Sequence, residues 1–279
     1  MRRSSPPDIG RAVVEALSTD SSGEVIAVFS RASYVEVGGH VFAIVSTAEF
    51  SGPLHARVPN PPKPRVGTQA SVAGGRLILG EQALDLPCER WEPTPFSVGA
   101  SVPVMLDRVL MHEPDLDLGS RVRVAQEPSL GSSIGDALQR GGLDEACGGL
   151  FGRGSGLTPA GDDVAAGLMI AESLAGLGDE RTRLAIATAA PTHRISRAFL
   201  AAAARGQSLE PLHRLLAACA ADDLAGARRA RADLAAVGHT SGLDLAYGAL
   251  VGLRWAADAG EPARVARRIT RKALVQTTA

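Results

Sequence analysis

Residues 33–46, SYVEVGGHVFAIVS, decide how the first half of this chain folds. Five of its residues are β-branched, three are aromatic or imidazole-bearing, and Gly38-Gly39 interrupts the run with a pair able to take the positive φ that a two-residue hairpin turn demands. His40, just past the turn, reads as a polar residue at a strand edge. Upstream, residues 24–32, EVIAVFSRA, supply another strand candidate. Downstream, PNPPKP at 59–64 cannot sit inside a sheet and reads as an extended connector. A second glycine pair, Gly74-Gly75, predicts a second hairpin within SVAGGRLILGEQALDL, and Gly80-Glu81 a further turn. RVRVA at 121–125 alternates as one more strand. Before these strands, residues 9–17 suit a short amphipathic helix with Asp8 as its cap. The segment 93–110 is ambiguous, because 100–110 fits a helix while Pro103 argues for a late start.

Past about Gly131 the strand signals stop and alanine, leucine and arginine dominate. Apolar residues recur at helical spacing, as Leu168, Ile170, Leu174 and Leu177 do. Helices are expected over 133–140, 143–149, 159–177, 180–190, 193–205, 209–221, 222–237, 242–257 and 262–274. The fold class is therefore α+β: a mainly antiparallel β domain over 1–127, a small barrel or sandwich, followed by an all-helical domain over 128–279. Arg228, Arg229 and Arg231 are expected on a solvated helix face.

Composition bounds the function. A formal charge of -1 gives no basic face for nucleic acid, and three cysteines, Cys88, Cys147 and Cys219, are too few and too scattered for a disulfide framework or a zinc site. No run approaches the ~20 apolar residues of a membrane span. The expectation is a cytoplasmic protein with no membrane or nucleic-acid partner. No nucleophile elbow and no zinc-protease signature occur, which disfavours covalent catalysis.

The chemistry concentrates in residues 149–167, GLFGRGSGLTPAGDDVAAG. Gly152, Gly154 and Gly156 alternate, so the backbone can approach a ligand closely. Thr158 and Pro159 then read as the cap and first position of a helix, with Asp162 and Asp163 in its first turn. A glycine loop feeding a helix N-terminus favours a bound anion. Two carboxylates beside it oppose that anion unless Mg²⁺, an arginine such as Arg153, or a donor group on the substrate lies between them. Two later helix starts share the design. Thr192 caps one whose first turn holds His193 and Arg194, and Ser241 caps another with Asp244 three residues on. The three starts are candidates to converge on one pocket.

The run GRGSGLTPAGDD resembles the signature of a bacterial family, long of unknown function, that includes one subunit of the three-subunit oxamate carbamoyltransferase of allantoin degradation. That family's pattern commonly has serine where this chain has Ala160 and an aromatic where it has Val164. The elements Thr192 to Ser196 and Gly238-His239-Thr240-Ser241-Gly242-Leu243-Asp244 also look like the family's, so the resemblance covers roughly 146–253.

It implies the reaction oxalurate plus phosphate to oxamate plus carbamoyl phosphate, performed with other enzyme subunits. Under it, Gly152, Arg153, Gly154, Gly156, Thr158, Thr192, Arg194, Ser196, Thr240, Ser241 and Asp244 bind a small anionic substrate: carbamoyl phosphate, oxamate or phosphate. Asp162 and Asp163 orient the carbamoyl NH₂ or hold Mg²⁺, and His239, with Arg153 or Arg194, offsets charge. No organic cofactor is expected. The alternative is a noncatalytic assembly or regulatory subunit binding a small carboxylate or nucleotide.

Overall fold

The computed structural model describes residues 6–111 and 128–276 apart from positions 155 and 239, with side chains described for 6–111 and 134–258. The strand expected at 121–125 and the side chain of His239 lie outside the described residues.

The chain opens with α1 (Arg11–Leu17) and then builds β1 (Ser21–Val28), β2 (Ala32–Val37), β3 (His40–Ser46), β4 (His55–Val58), β5 (Gln69–Ala73), β6 (Arg76–Leu79) and β7 (Gln82–Leu84). These form one curled sheet in the order β4-β3-β2-β1-β5-β6-β7. Both glycine pairs turn where expected: Gly38 and Gly39 have φ of 58° and 80°, Gly74 and Gly75 have 56° and 77°. Their hairpins register Val37 on His40 and Ala73 on Arg76. All pairings are antiparallel except β3 with β4, which run parallel and set Ala43 beside His55. Val25, Val35, Phe42, Ile44, Val72 and Leu77 fill the core beneath the sheet, closed by Val13 of α1.

Asp8 does not cap α1. The N-cap is Gly10, without a side-chain bond, because Asp8 is drawn to the buried Arg57 guanidinium at 2.6 Å. Arg57 is 1% exposed and also donates to Ser51 Oγ and to the carbonyls of Thr47, Glu49 and Pro6. A buried charge persists only when paired and hydrogen-bonded in this way. The network ties the 47–51 loop to β4.

The helical half comprises α2 (Ser101–Met111), α3 (Pro128–Gly148), α4 (Ala160–Leu174), α5 (Glu180–Ala189), α6 (Arg194–Ala204), α7 (Glu210–Ala220), α8 (Leu224–Ala235) and α9 (Ser241–Gln276). Gly142, at φ 67° and ψ −151°, breaks α3 into the two helices the sequence suggests. α9 continues through Pro262, where a break was expected. Val102, Leu106, Val109 and Leu110 of α2 pack into the helical core. Arg228 and Arg229 are exposed as expected, but Arg231 is 2% exposed, having turned to the inward side of α8 beside Ala227, Ala230 and Leu234.

Glycine decides how α4 meets α9. A Cβ on Gly167 would stand 2.2 Å from the Leu245 carbonyl oxygen, and one on Gly248 2.1 Å from that of Val164. Without those Cβ atoms the helices approach backbone to backbone, as small residues permit. Val164 lies against Gly248, and four residues on Leu168 lies against Gly252, so the two helices run parallel. Their N-termini therefore meet at one end.

Candidate functional site

At that end the Thr158 and Ser241 hydroxyls stand 3.2 Å apart across 83 positions of sequence. The third helix start joins through Asp162. Its Oδ1 accepts the backbone N–H of Gly152 at 2.8 Å, and its Oδ2 accepts the Ser196 hydroxyl at 2.6 Å and the Thr192 hydroxyl. Asp162, 1% exposed, thus knots the glycine loop to the beginning of α6. The three starts are thus tied together, so their positive dipole ends lie near one another, but only those at Thr158 and Ser241 line the cleft between the two halves of the chain; Thr192, Arg194 and Ser196 do not.

The caps differ in detail from the expectation. α4 has Pro159 at its N-cap and no side-chain bond there, because Thr158 sits one residue too early and turns to Ser241. The loop caps the helix instead, with the Arg153 carbonyl taking the Gly161 N–H at 2.9 Å. α6 is capped by His193, whose Nδ1 accepts the Ile195 N–H at 3.3 Å, since Thr192 is engaged by Asp162. Ser241 is the first residue of α9, and the Thr240 carbonyl accepts from Leu243 and Asp244.

The loop glycines all carry positive φ: 70° at Gly152, 111° at Gly154 and 106° at Gly156. A Cβ on Gly154 would approach the Ala160 nitrogen to 2.8 Å, whereas one on Gly156 would meet nothing. Arg153 is exposed. Arg194 points away to the sheet, donating to Glu36 at 2.8 Å and tying the two halves together.

Asp163 and Asp244 occupy the space behind Thr158 and Ser241. Burial pushes the Asp163 carboxyl well above its ordinary value, the hydroxyls of Ser241 and Thr158 hold it down in part, and Asp244 and Asp162 push it further up. Asp163 Oδ2 has no hydrogen-bond partner among the described residues. Asp244, 0% exposed, has no well-formed hydrogen bond on either oxygen, and burial raises it to about 6; the Thr240 hydroxyl lies close enough to oppose that rise only weakly. The conflict that two acids pose for the expected anion site is thereby eased. Asp162 is surrounded by three donors, and Asp163 is pushed toward its neutral form.

No group of three or more His, Cys, Asp or Glu suited to a metal occurs among the described residues. The Mg²⁺ expected at Asp162 and Asp163 would find Asp162 fully engaged, leaving the oxygens of Asp163 and Asp244.

Thr158 and Ser241 also form one wall of a cleft of about 360 Å³ between the two halves of the chain. Leu157, Phe199, Leu209 and Gly238 continue that wall, and the sheet side contributes Phe29, Arg31, Tyr34, Glu49, Phe50 and His55. This volume lies within the range of small-molecule sites. Arg31 is paired with Glu49 in a two-pronged ion pair. Burial, chiefly, holds the Tyr34 phenol protonated up to about 12. His55, which the sequence reading passed over, belongs to a four-residue strand too short and too polar to signal itself.

A larger hollow of about 690 Å³ lies around Trp91, His213 and Arg214, lined by none of the loop residues. Its charges are matched internally. Arg214 meets Asp233 at 3.0 Å, and His213 Nε2, pushed down to about 4 by burial, accepts the Ser208 N–H. The cleft at the helix starts is the stronger candidate.

A knotted glycine loop, helix starts tied together and a cleft against a curled sheet define an α+β protein with a candidate small-ligand site between its halves. The family described as oxamate carbamoyltransferase subunit AllH matches residues 150–253 of this chain. That span contains all three helix starts, so the resemblance carried by GRGSGLTPAGDD is borne out over it. No curated protein and no solved structure matches the chain. Among the described residues no helix is long and apolar enough to cross a membrane.

Proposed function

We propose that this chain serves as a subunit of a carbamoyltransferase complex and holds an anionic small molecule where its helix starts at Thr158 and Ser241 meet the cleft. The observation that carries this reading is the parallel packing of α4 on α9. It brings two helix N-termini and the hydroxyls of Thr158 and Ser241 to one spot, while Asp162 fixes the third start beside them. Aligned dipoles, and whichever hydroxyl of the Thr158–Ser241 pair does not give its proton to the other, stabilise a carboxylate or phosphate, and they stabilise negative charge developing on a carbamoyl oxygen more strongly still. The reaction that suits this arrangement is oxalurate plus phosphate to oxamate plus carbamoyl phosphate, in which positioning supplies much of the acceleration. Partner subunits follow from the family's description as a subunit.

A second reading keeps the ligand and drops the chemistry. It is favoured by the pairing of Arg31 with Glu49, which leaves that cleft cation already engaged. On that reading the chain is a regulatory or assembly subunit.

Thermal-shift measurements with oxamate, carbamoyl phosphate, phosphate and nucleotides, each with and without Mg²⁺, test the proposal. Stabilisation by oxamate or carbamoyl phosphate supports a carbamoyl-transfer site. Stabilisation by nucleotides alone favours the regulatory reading, and no shift with any of them removes the ligand site.

A further inference from the structure

His55 lines the sheet side of the cleft across from Thr158 and Ser241, and its surroundings fix which of its nitrogens carries the ring proton. Its backbone is held on both sides: its N–H donates to the Gly52 carbonyl at 3.1 Å, and its carbonyl accepts from Gly10 at 2.8 Å. The imidazole is held as well, with Nδ1 lying 2.8 Å from the Phe50 carbonyl oxygen. A carbonyl oxygen can only accept, so Nδ1 carries the proton in that bond. Burial, the largest influence on this ring, lowers its proton affinity and favours the neutral form. With the single ring proton on Nδ1, Nε2 is left as a lone pair. None of the hydrogen bonds found among the described residues ends on that nitrogen.

We propose that His55 is the sheet's ligand-binding residue in this cleft: its Nε2 accepts an N–H from an amide- or carbamoyl-bearing ligand whose oxygens face the hydroxyls of Thr158 and Ser241. This deepens the carbamoyltransferase reading and rests on the cleft being its ligand site. The cleft then has a polarity. Helix dipoles and hydroxyls serve the ligand's oxygens on one wall, and a fixed acceptor serves its nitrogen on the other. A site built to accept an N–H rejects an analogue that lacks one, because the acceptor is left unpaired against an oxygen lone pair. The sheet half, which lies outside the matched span of 150–253, thereby sets the choice between an amide and a carboxylate.

Calorimetric titration of the full chain with oxamate and with oxalate, which replaces the NH₂ by oxygen, tests this. The unmodified chain should bind oxamate about tenfold more tightly than oxalate. His55→Leu should abolish that preference, and His55→Gln, whose side-chain oxygen reaches towards the position of Nε2, should keep part of it. An unchanged preference in His55→Leu overturns the role of His55 and leaves the cleft standing as a ligand site. Failure of the unmodified chain to bind either compound overturns both. Should His55→Leu not fold, ¹⁵N spectra of the unmodified chain decide the matter. The Nδ1–H tautomer with an Nε2 resonance that moves on adding oxamate supports the proposal, and the Nε2–H tautomer or an unmoved resonance overturns it.

Discussion

Asp162 Oδ2 accepts the Ser196 hydroxyl at 2.6 Å, joining the first turn of α4 to the first turn of α6 across 34 positions of sequence. With the Gly152 N–H on the other oxygen, this carboxylate is the fastening of the glycine loop. Asp162→Asn puts an NH₂ where donors converge and should lower stability by about 1.5–3 kcal/mol, the usual worth of hydrogen bonds to a charged group. Asp163→Asn keeps an oxygen able to accept from the Ser241 and Thr158 hydroxyls and removes a buried charge, so it should cost less stability than Asp162→Asn. Urea denaturation of the two variants checks the contrast. Equal losses would mean that Asp162 is not the fastening.

The loop glycines should separate in the same kind of experiment. Gly154→Ala places a Cβ 2.8 Å from the Ala160 backbone nitrogen at a φ of 111°, so it carries a clash as well as strain. Gly156→Ala meets open space and carries only the strain of positive φ, about 1–3 kcal/mol. Gly154→Ala should therefore show the lower thermal midpoint.

Part of this arrangement was legible in the sequence, and the boundary is physical. The hairpins at Gly38-Gly39 and Gly74-Gly75 declare themselves because a two-residue turn has few chemical solutions. The helices declare themselves through apolar periodicity, and the three hydroxyl-rich starts announce a common design. Contacts set by tertiary packing do not. Asp162 reads as a dipole-stabilising acid or a metal ligand until its partners at 152, 192 and 196 are seen around it. Asp8 looks like a helix cap because the buried Arg57 is 49 residues away. His55 lies in β4, four residues long and paired in parallel to a strand that is not its hairpin partner, a placement no local signal encodes.

Asp244 predicts a pH dependence. Its carboxyl titrates at about 6 in the folded chain against 3.8 for the unperturbed group. A raised value means that the folded state favours the proton, so the stability linked to this group is fully present below 3.8 and is lost as pH rises through 6. Asp244→Asn stays neutral throughout. It should have a higher thermal midpoint than the unmodified chain at pH 8, with the difference shrinking toward pH 4. A constant difference across that window would show that Asp244 is not the titrating group.

The buried Arg57 network should matter for stability far more than the exposed pairs. Arg57→Met strands Asp8 without its cation and frees the carbonyls of Thr47 and Glu49, a loss of about 3–5 kcal/mol for a broken buried pair. The Arg76–Asp85 pair, exposed on both sides, should cost under about 1 kcal/mol when Arg76 is replaced by alanine. Guanidinium unfolding of both variants measures the difference.

A ligand meeting the helix starts at Thr158 and Ser241 is measured directly by calorimetric titration of oxamate into the double variant Thr158→Val, Ser241→Ala. Removing both hydroxyls at the meeting point of α4 and α9 should weaken oxamate binding at least tenfold, about 1.4 kcal/mol, with the free protein still folded but its thermal midpoint lowered by the lost contacts to each other and to Asp163. An oxamate affinity equal to that of the unmodified chain would contradict the account.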